Sequence, residues 1–326
     1  MGQSTFVHKK EFILESGTVL PELDICYTTH GQLNKNKDNV IWIVHALTGN
    51  SDPLQWWNGL AGGGKLFDPD KYFIVCANNL GSCYGTTGPA SINPLTKSVY
   101  GKGFPNITIR DMVKANILLK NHLGIDNIFL ITGGSLGGQV CLEWAIEEPD
   151  VFKNVIPIAT NAKHSPWGIA FNETQRMALE DEKNGINVAR AIALLSYRGY
   201  DIYDKTQTDN DRRVDGFSAS SYQRYQGVKL RNRFDRHSYY VLSKAMDSHN
   251  VARNRGNVST ALNKIKARVL VIGIKSDILF PVSEQKLIAA NISGAKIKII
   301  DSIYGHDGFL LESSKIKTAI KYFIKD

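Results

Sequence analysis

Residues Ile128-Phe-Leu-Ile-Thr-Gly-Gly-Ser-Leu-Gly-Gly138 carry an apolar segment straight into a turn of the pattern G-x-S-x-G, Gly133-Gly-Ser-Leu-Gly-Gly138. Behind the turn, the spacing predicts a helix with Val140, Cys141, Trp144 and Ala145 on one face and Gln139, Glu143 and Glu147 facing outward, stopped near Pro149. Strand, tight turn and helix in this order form a nucleophile elbow. The glycines have a steric role, because a serine at a strained strand-to-helix turn needs neighbours without Cβ if backbone and helix are to pack closely. Ser135 is expected to stand exposed above a sheet, over the positive end of the helix dipole. The alternative is a glycine-rich turn that only packs a helix or holds a phosphate.

On either side of this stretch, short β-branched runs recur: Val40–Val44, Tyr72–Cys76, Val155–Ile158, Arg268–Ile272 and Lys296–Ile300. Runs without polar alternation read as strands buried on both faces. Helical patterns between them, such as 109–122 with Met112, Val113, Ile117 and Leu118 on one face, imply an α/β fold with a mostly parallel sheet covered on both sides. The rhythm breaks from about Ser165 to Lys264, where no buried strand is legible. The expected organisation is therefore a core at 1–164 and 265–326 with a helical lid inserted at 165–264; an independent second domain is the alternative. Within the insertion, 188–195 and 237–246 have helical spacing, while Tyr200 to Phe217 reads as a polar connection.

The strand at 40–44 runs into His45-Ala-Leu-Thr-Gly49. An oxyanion hole takes one backbone N–H from the residue after the nucleophile and one from a loop after an early strand, here Leu136 and Leu47. A serine also needs a histidine to take its proton and a carboxylate to fix that histidine's tautomer, in the chain order Ser, Asp, His. Asp277, after the strand at 268–272, and His306, in Tyr304-Gly-His-Asp-Gly308 after the strand at 296–300, lie beyond the carboxyl ends of successive late strands. Asp277 has a turn or helix cap as its structural alternative. Asp301 is a rival carboxylate, but it sits too close in sequence to reach under His306.

The 326 residues, 43% apolar, 21% charged and 10% aromatic, supply ample core for one large domain or two. No apolar run approaches the roughly 18 residues of a membrane span, and the N-terminus has neither a secretory h-region nor, with Phe6 where Ser or Thr is required, a myristoylation pattern. Cys26, Cys76, Cys83 and Cys141 lack C-x-x-C spacing, which argues against a zinc site and a disulfide framework and fits a reducing cytoplasm. The 39 Lys and Arg against 31 Asp and Glu give a formal net charge of +8. They are spread along the chain, so neither a nucleic-acid nor a membrane partner is expected; solubility and attraction of an anionic small molecule are.

With these pieces in place, the sequence resembles the homoserine O-acetyltransferase family of α/β-hydrolase-fold enzymes over nearly its whole length. The resemblance runs through Leu14-Glu-Ser-Gly17, His45–Gly49, Asn79-Leu-Gly-Ser-Cys-Tyr-Gly-Thr-Thr-Gly-Pro89, Gly133–Gly138, Ala170-Phe-Asn-Glu173, Ser221-Tyr222, Tyr225-Gln-Gly227, Arg233-Phe-Asp235, Ala245-Met-Asp247 and Gly305-His-Asp307. It implies that Ser135 attacks acetyl-CoA, a substrate rather than a bound cofactor, and that L-homoserine accepts the acetyl group in a ping-pong step of methionine biosynthesis, with His306 as base throughout. It further implies Arg190, in Val188-Ala-Arg190, on the homoserine carboxylate and Asp307 on its amine, with a solvated helix charge as the other reading of Arg190. A fork-shaped guanidinium and an accepting carboxylate suit a zwitterion.

The resemblance also implies a homodimer paired through the lid; no metal is expected, on the cysteine spacing. Two features depart from the family pattern: Leu136 replaces a methionine while keeping the backbone donor, and the Arg176–Arg190 linker is short, which bears on the acyl-donor entrance. Gly62-Gly-Gly64-Lys65 reads as a flexible loop rather than a phosphate cradle, and Trp56 and Trp57 as packing residues. The remaining choices are a succinyl donor, serine as acceptor, an esterase or thioesterase on the same triad, and a basic non-catalytic binding protein, which leaves the triad order unexplained.

Overall fold

The structure is a computed structural model that describes residues 2–210 and 212–325. Its strands are β1 (Gln3–His8), β2 (Phe12–Ile13), β3 (Val19–Leu20), β4 (Leu23–His30), β5 (Val40–Val44), β6 (Phe73–Ala77), β7 (Ile128–Gly134), β8 (Phe152–Ile158), β9 (Arg268–Ile274) and β10 (Lys296–Ile300). Its helices are α1 (Pro53–Trp56), α2 (Ile109–His122), α3 (Leu136–Glu147), α4 (Pro166–Ala178), α5 (Gly185–Tyr197), α6 (Tyr200–Gln207), α7 (Ser218–Arg231), α8 (Arg236–Asp247), α9 (Val258–Leu262), α10 (Val282–Ala290), α11 (Gly308–Leu311) and α12 (Ser313–Lys325).

One eight-stranded sheet has the order β1-β4-β6-β5-β7-β8-β9-β10. All pairings from β6 to β10 are parallel, and β4 is the one strand running against the rest. The six apolar runs legible in the sequence are its parallel strands. β1 and β4 escape that reading because β1 is an exposed edge of alternating pattern and β4 mixes Asp24, Thr28, Thr29 and His30 among its apolar residues. The chain moves from β5 to β6 on one side and returns to β7 on the other, so the loops after β5 and β7 flank a topological switch point, where crevices open in such sheets.

Two apolar clusters cover the two faces of the sheet. Trp42, Val75, Met112, Leu119, Val140 and Trp144 belong to one, and Ile41, Ile43, Ile156, Ile272, Ile316 and Phe323 to the other. Between β8 and β9 the described residues form α4 to α9, with no strand except an isolated bridge from Lys163 to Asn250. Among the described residues no helix is long and apolar enough to cross a membrane, and all four cysteines are free.

Three expectations need correction. Gln139 and Glu143 do not face outward: both are buried, because α3 is packed by β7 and β8 on one side and by α2 and α9 on the other. Gln139 Nε2 donates to Asn161 Oδ1 at 2.9 Å, and Glu143 accepts from Arg110 Nε at 2.9 Å and pairs with Arg255. The segment 200–217 is not all connection: 200–207 form α6, anchored by the buried Ile202, whose single apolar contact was too sparse to show a periodicity. Ser135 is not exposed either. Only 5% of its surface is accessible.

Candidate active site

β7 ends at Gly134 and α3 starts at Leu136, so the turn between them consists of Ser135 alone. Its φ of 59° and ψ of −125° lie in a region that L-residues avoid, at a cost of about 1–3 kcal/mol that the surroundings must offset. They do so with hydrogen bonds. Ser135 N donates to Ile158 O at 3.0 Å, and its carbonyl accepts from Gly138 N at 2.9 Å, Gln139 N at 3.2 Å and Thr160 Oγ1 at 2.8 Å. The helix can begin so abruptly because Gly137 touches β5: a Cβ there would lie 2.3 Å from Val44 O. That contact sets the start of α3 against the end of β5, from which the loop carrying Leu47 departs.

The Leu47 amide is aimed by its neighbours. The Ala46 carbonyl accepts from His45 Nδ1 at 2.8 Å and from Gly49 N at 2.9 Å, while Asn79 N donates to His45 Nε2 at 3.0 Å. A carbonyl only accepts and an amide only donates, so His45 is the Nδ1–H tautomer. Burial lowers its pKa to about 4, which keeps the ring neutral. Because a trans peptide is planar with C=O and N–H on opposite edges, fixing the Ala46 carbonyl turns the Leu47 N–H the other way. Leu136, as the first residue of α3, likewise has an N–H without an acceptor inside its helix.

His306 lies in a short 3-10 turn, Gly305–Asp307, 3% exposed. Its Nδ1 and Asp277 Oδ2 are 2.6 Å apart, so the ionised carboxylate accepts and leaves Nε2 as the proton acceptor. Asp277 Oδ1 is held by Leu279 N at 2.8 Å and Phe280 N at 2.9 Å. The imidazole is walled by Phe280, Phe309 and Tyr197, at ring distances of 5.1, 5.2 and 5.7 Å. Asp301 points away, exposed beside Lys275 at 3.6 Å.

Ser135, His306, Leu47, Arg190 and Asp307 share one cavity of about 660 Å³, within the range of small-molecule sites. Asp277 joins it through His306, and Leu136 lies at the turn beneath. The neighbourhood of the cavity is tied together by long-range contacts that sequence spacing does not show. Arg233 Nη1 donates to Thr48 O at 2.7 Å and Tyr84 Oη at 2.8 Å, tying the end of α7 to the oxyanion-side loop. Arg198 Nε donates to Asp307 Oδ2 at 3.1 Å across 109 residues of sequence. Arg190 stands 5.5 Å from the Tyr197 ring.

Burial raises the pKa of Asp307, opposed by Arg198, Arg190 and His306. Trp57 is buried with its indole donating to Phe309 O at 3.1 Å, as packing predicts, whereas Trp56 also forms part of the cavity wall. The Gly62–Gly64 stretch forms a tight turn closed by a bridge between Ala61 and Phe67, with Lys65 bound to the Asn58 carbonyl. Among the described residues no group of three or more His, Cys, Asp or Glu side chains is placed to hold a metal.

Comparison with known proteins agrees with this architecture. Residues 39–313 match the α/β hydrolase fold family. A homoserine O-acetyltransferase of Cyclobacterium marinum is 49% identical, over 99% of this chain and 95% of that protein. The crystal structure of homoserine O-acetyltransferase from Bacillus anthracis superposes with a TM-score of 0.90 at 24% identity, covering 99% of this chain and 97% of that one. Esterase E22 superposes with a TM-score of 0.89 at 22% identity, covering 99% of each chain, a likeness of fold alone. On the near full-length identity, this chain belongs to the homoserine O-acetyltransferase family of α/β-hydrolase-fold proteins.

Proposed function

We propose that the protein moves an acetyl group from acetyl-CoA to the side-chain hydroxyl of L-homoserine through an acetyl-Ser135 intermediate, activating that hydroxyl as a leaving group for methionine biosynthesis. Asp277 holds the His306 tautomer. His306 Nε2 takes the Ser135 Oγ proton as Oγ attacks the thioester carbonyl, and the resulting oxyanion is met by the Leu47 and Leu136 amides. The carbonyl reforms, the CoA sulfur leaves with the proton from His306, and the acetyl group stays on Oγ. In the second half, His306 takes the homoserine hydroxyl proton, that oxygen attacks the acetyl carbon, and Ser135 leaves with the proton.

The observation that carries this reading is the pairing of a cation and a carboxylate beside the nucleophile: Arg190 and Asp307 line the same cavity as Ser135. Together they complement the carboxylate and ammonium of an amino acid. Helices α4 to α9, residues 165–264 in all, act as a lid whose cover keeps water from the acyl-enzyme, the condition for transfer over hydrolysis. Exposed apolar side chains on the lid, among them Met177, Val188, Leu195 and Phe217, suit pairing with a second copy of the chain. An acyl-CoA donor and four free cysteines suit the cytoplasm.

The test is a matrix of acetyl-CoA and succinyl-CoA against L-homoserine and L-serine, with products weighed. O-acetylhomoserine as the dominant product is expected, with CoA release strongly accelerated by L-homoserine. CoA release at equal rates with and without an acceptor overturns transfer in favour of an esterase or thioesterase.

A further inference from the structure

An arginine outside the cavity lining holds a carboxylate that lines the proposed acceptor pocket. Arg198 follows α5 directly, its guanidinium lies 5.2 Å from the Tyr222 ring, and its Nε donates to Asp307 Oδ2. Among the described residues Asp307 Oδ1 takes no hydrogen bond. This contact is built into the backbone. Gly305 has φ +63°, and a Cβ there would lie 2.7 Å from Gly199 N and 2.9 Å from the Arg198 carbonyl carbon. The end of α5 is thus pressed onto the turn that carries His306 and Asp307, an approach that only glycine at 305 permits.

We propose that Arg198 is a positioning residue that makes the acceptor site selective for α-amino acids: with Oδ2 anchored on Arg198, the Asp307 carboxylate offers Oδ1 to the ammonium of the incoming acceptor. The inference rests on the acyl-transfer reading above and deepens it. A carboxylate held at one oxygen cannot rotate away, so its second oxygen is pre-aligned, which lowers the ordering cost of binding. The geometry assigns Arg198 to acceptor recognition and leaves attack on the acyl donor to Ser135 and His306. The groups facing Asp307 are Arg198 and Arg190 from α5 and its end, His306 from its own turn, and the phenols of Tyr197, Tyr203 and Tyr222. Burial pulls Asp307 toward its neutral form, and Arg198 is foremost among the groups that oppose it.

The discriminating experiment compares L-homoserine with 4-hydroxybutyrate, the same acceptor chain without the amine, in the full-length wild type, Arg198→Met and Arg198→Lys. The preference for L-homoserine is expected to fall about tenfold or more in Arg198→Met, with KM rising more than kcat falls, and to be partly restored in Arg198→Lys. The acid limb of the KM profile for L-homoserine should also move to higher pH in Arg198→Met, because Asp307 loses the neighbour that keeps it ionised. Arg198→Lys alone carries the test if Arg198→Met does not fold, an intermediate preference being expected.

An Arg198→Met enzyme that retains the wild-type preference, or that loses both acceptors in equal proportion with an unmoved pH limb, overturns the proposal and reduces Arg198 to a latch between α5 and the catalytic turn. A wild type with no preference for L-homoserine overturns the functional reading, and this inference with it.

Discussion

The Nδ1 of His306 and the Oδ2 of Asp277 lie 2.6 Å apart, both side chains buried. The other oxygen of Asp277 accepts two backbone amides, from Leu279 and Phe280, so the carboxylate has no freedom to swing. An Asp277→Asn substitution can keep those two bonds through its Oδ1 but presents an NH2 group to His306 Nδ1, forcing the proton to Nε2. Acetyl transfer should drop by about 10³–10⁴ in kcat with little change in melting temperature. Stopped-flow release of CoA measures it, and a loss under tenfold would remove Asp277 from the relay.

Ser135→Ala should abolish acetyl transfer while the far-UV circular dichroism stays as in the wild type. Ser135→Gly separates chemistry from strain. It is equally inactive, yet relief of the backbone at φ 59° outweighs the added freedom of the unfolded glycine. A gain of about 1 kcal/mol, or about 2 °C in melting temperature, is expected. Residual turnover of either variant above background would dismiss Ser135 as the nucleophile.

In the proposed mechanism His45 acts on the oxyanion through the Ala46–Leu47 peptide, whose carbonyl it holds. Asn places its amide near the position of Nδ1 and Gln near that of Nε2, so His45→Asn should keep the bond to the Ala46 carbonyl and His45→Gln should lose it. The Gln variant should lose about 10² in kcat with KM little altered, the Asn variant much less. Equal losses in both would mean that the ring serves packing alone.

Arg190→Met tests the carboxylate contact. The KM for L-homoserine should rise about tenfold to a hundredfold, whereas formation of the acetyl-enzyme, followed by mass spectrometry without acceptor, should slow far less. The reverse pattern would take Arg190 out of the acceptor site.

Three buried histidines make the protein acid-sensitive. Burial holds His45 and His164 at about 4 and His249 at about 3, below the roughly 6.5 of an unfolded chain. Between pH 6.5 and about 4 the unfolded state therefore binds more protons, and stability falls as pH is lowered, by up to about 1.4 kcal/mol per pH unit for each histidine. Melting temperatures at pH 7 and pH 5.5 should show the fall. His249→Gln, which retains a donor to Asn161 O, should flatten it; a slope unchanged in that variant would refute the assignment.

The linear sequence determined the parallel strands, the elbow at Ser135 and the order in which Asp277 and His306 follow it, because buried strands and strained turns impose local composition that survives in one dimension. It did not reveal β4, whose polar residues hide a strand that is half core, nor the burial of Gln139 and Glu143, since a helix covered on both sides keeps polar groups inside only when distant partners such as Arg110, Arg255 and Asn161 satisfy them. Arg198 is invisible for the same reason, and Arg233, although it opens the Arg233-Phe-Asp235 stretch of the resemblance, showed no role there. Their meaning lies in contacts with Asp307 and Thr48 that span 109 and 185 residues. Only the packing of α5 against Gly305, and of α7 against the loop after β5, decided that those charges meet the site, because proximity across such separations is a property of the closed fold and leaves no periodic trace in the chain.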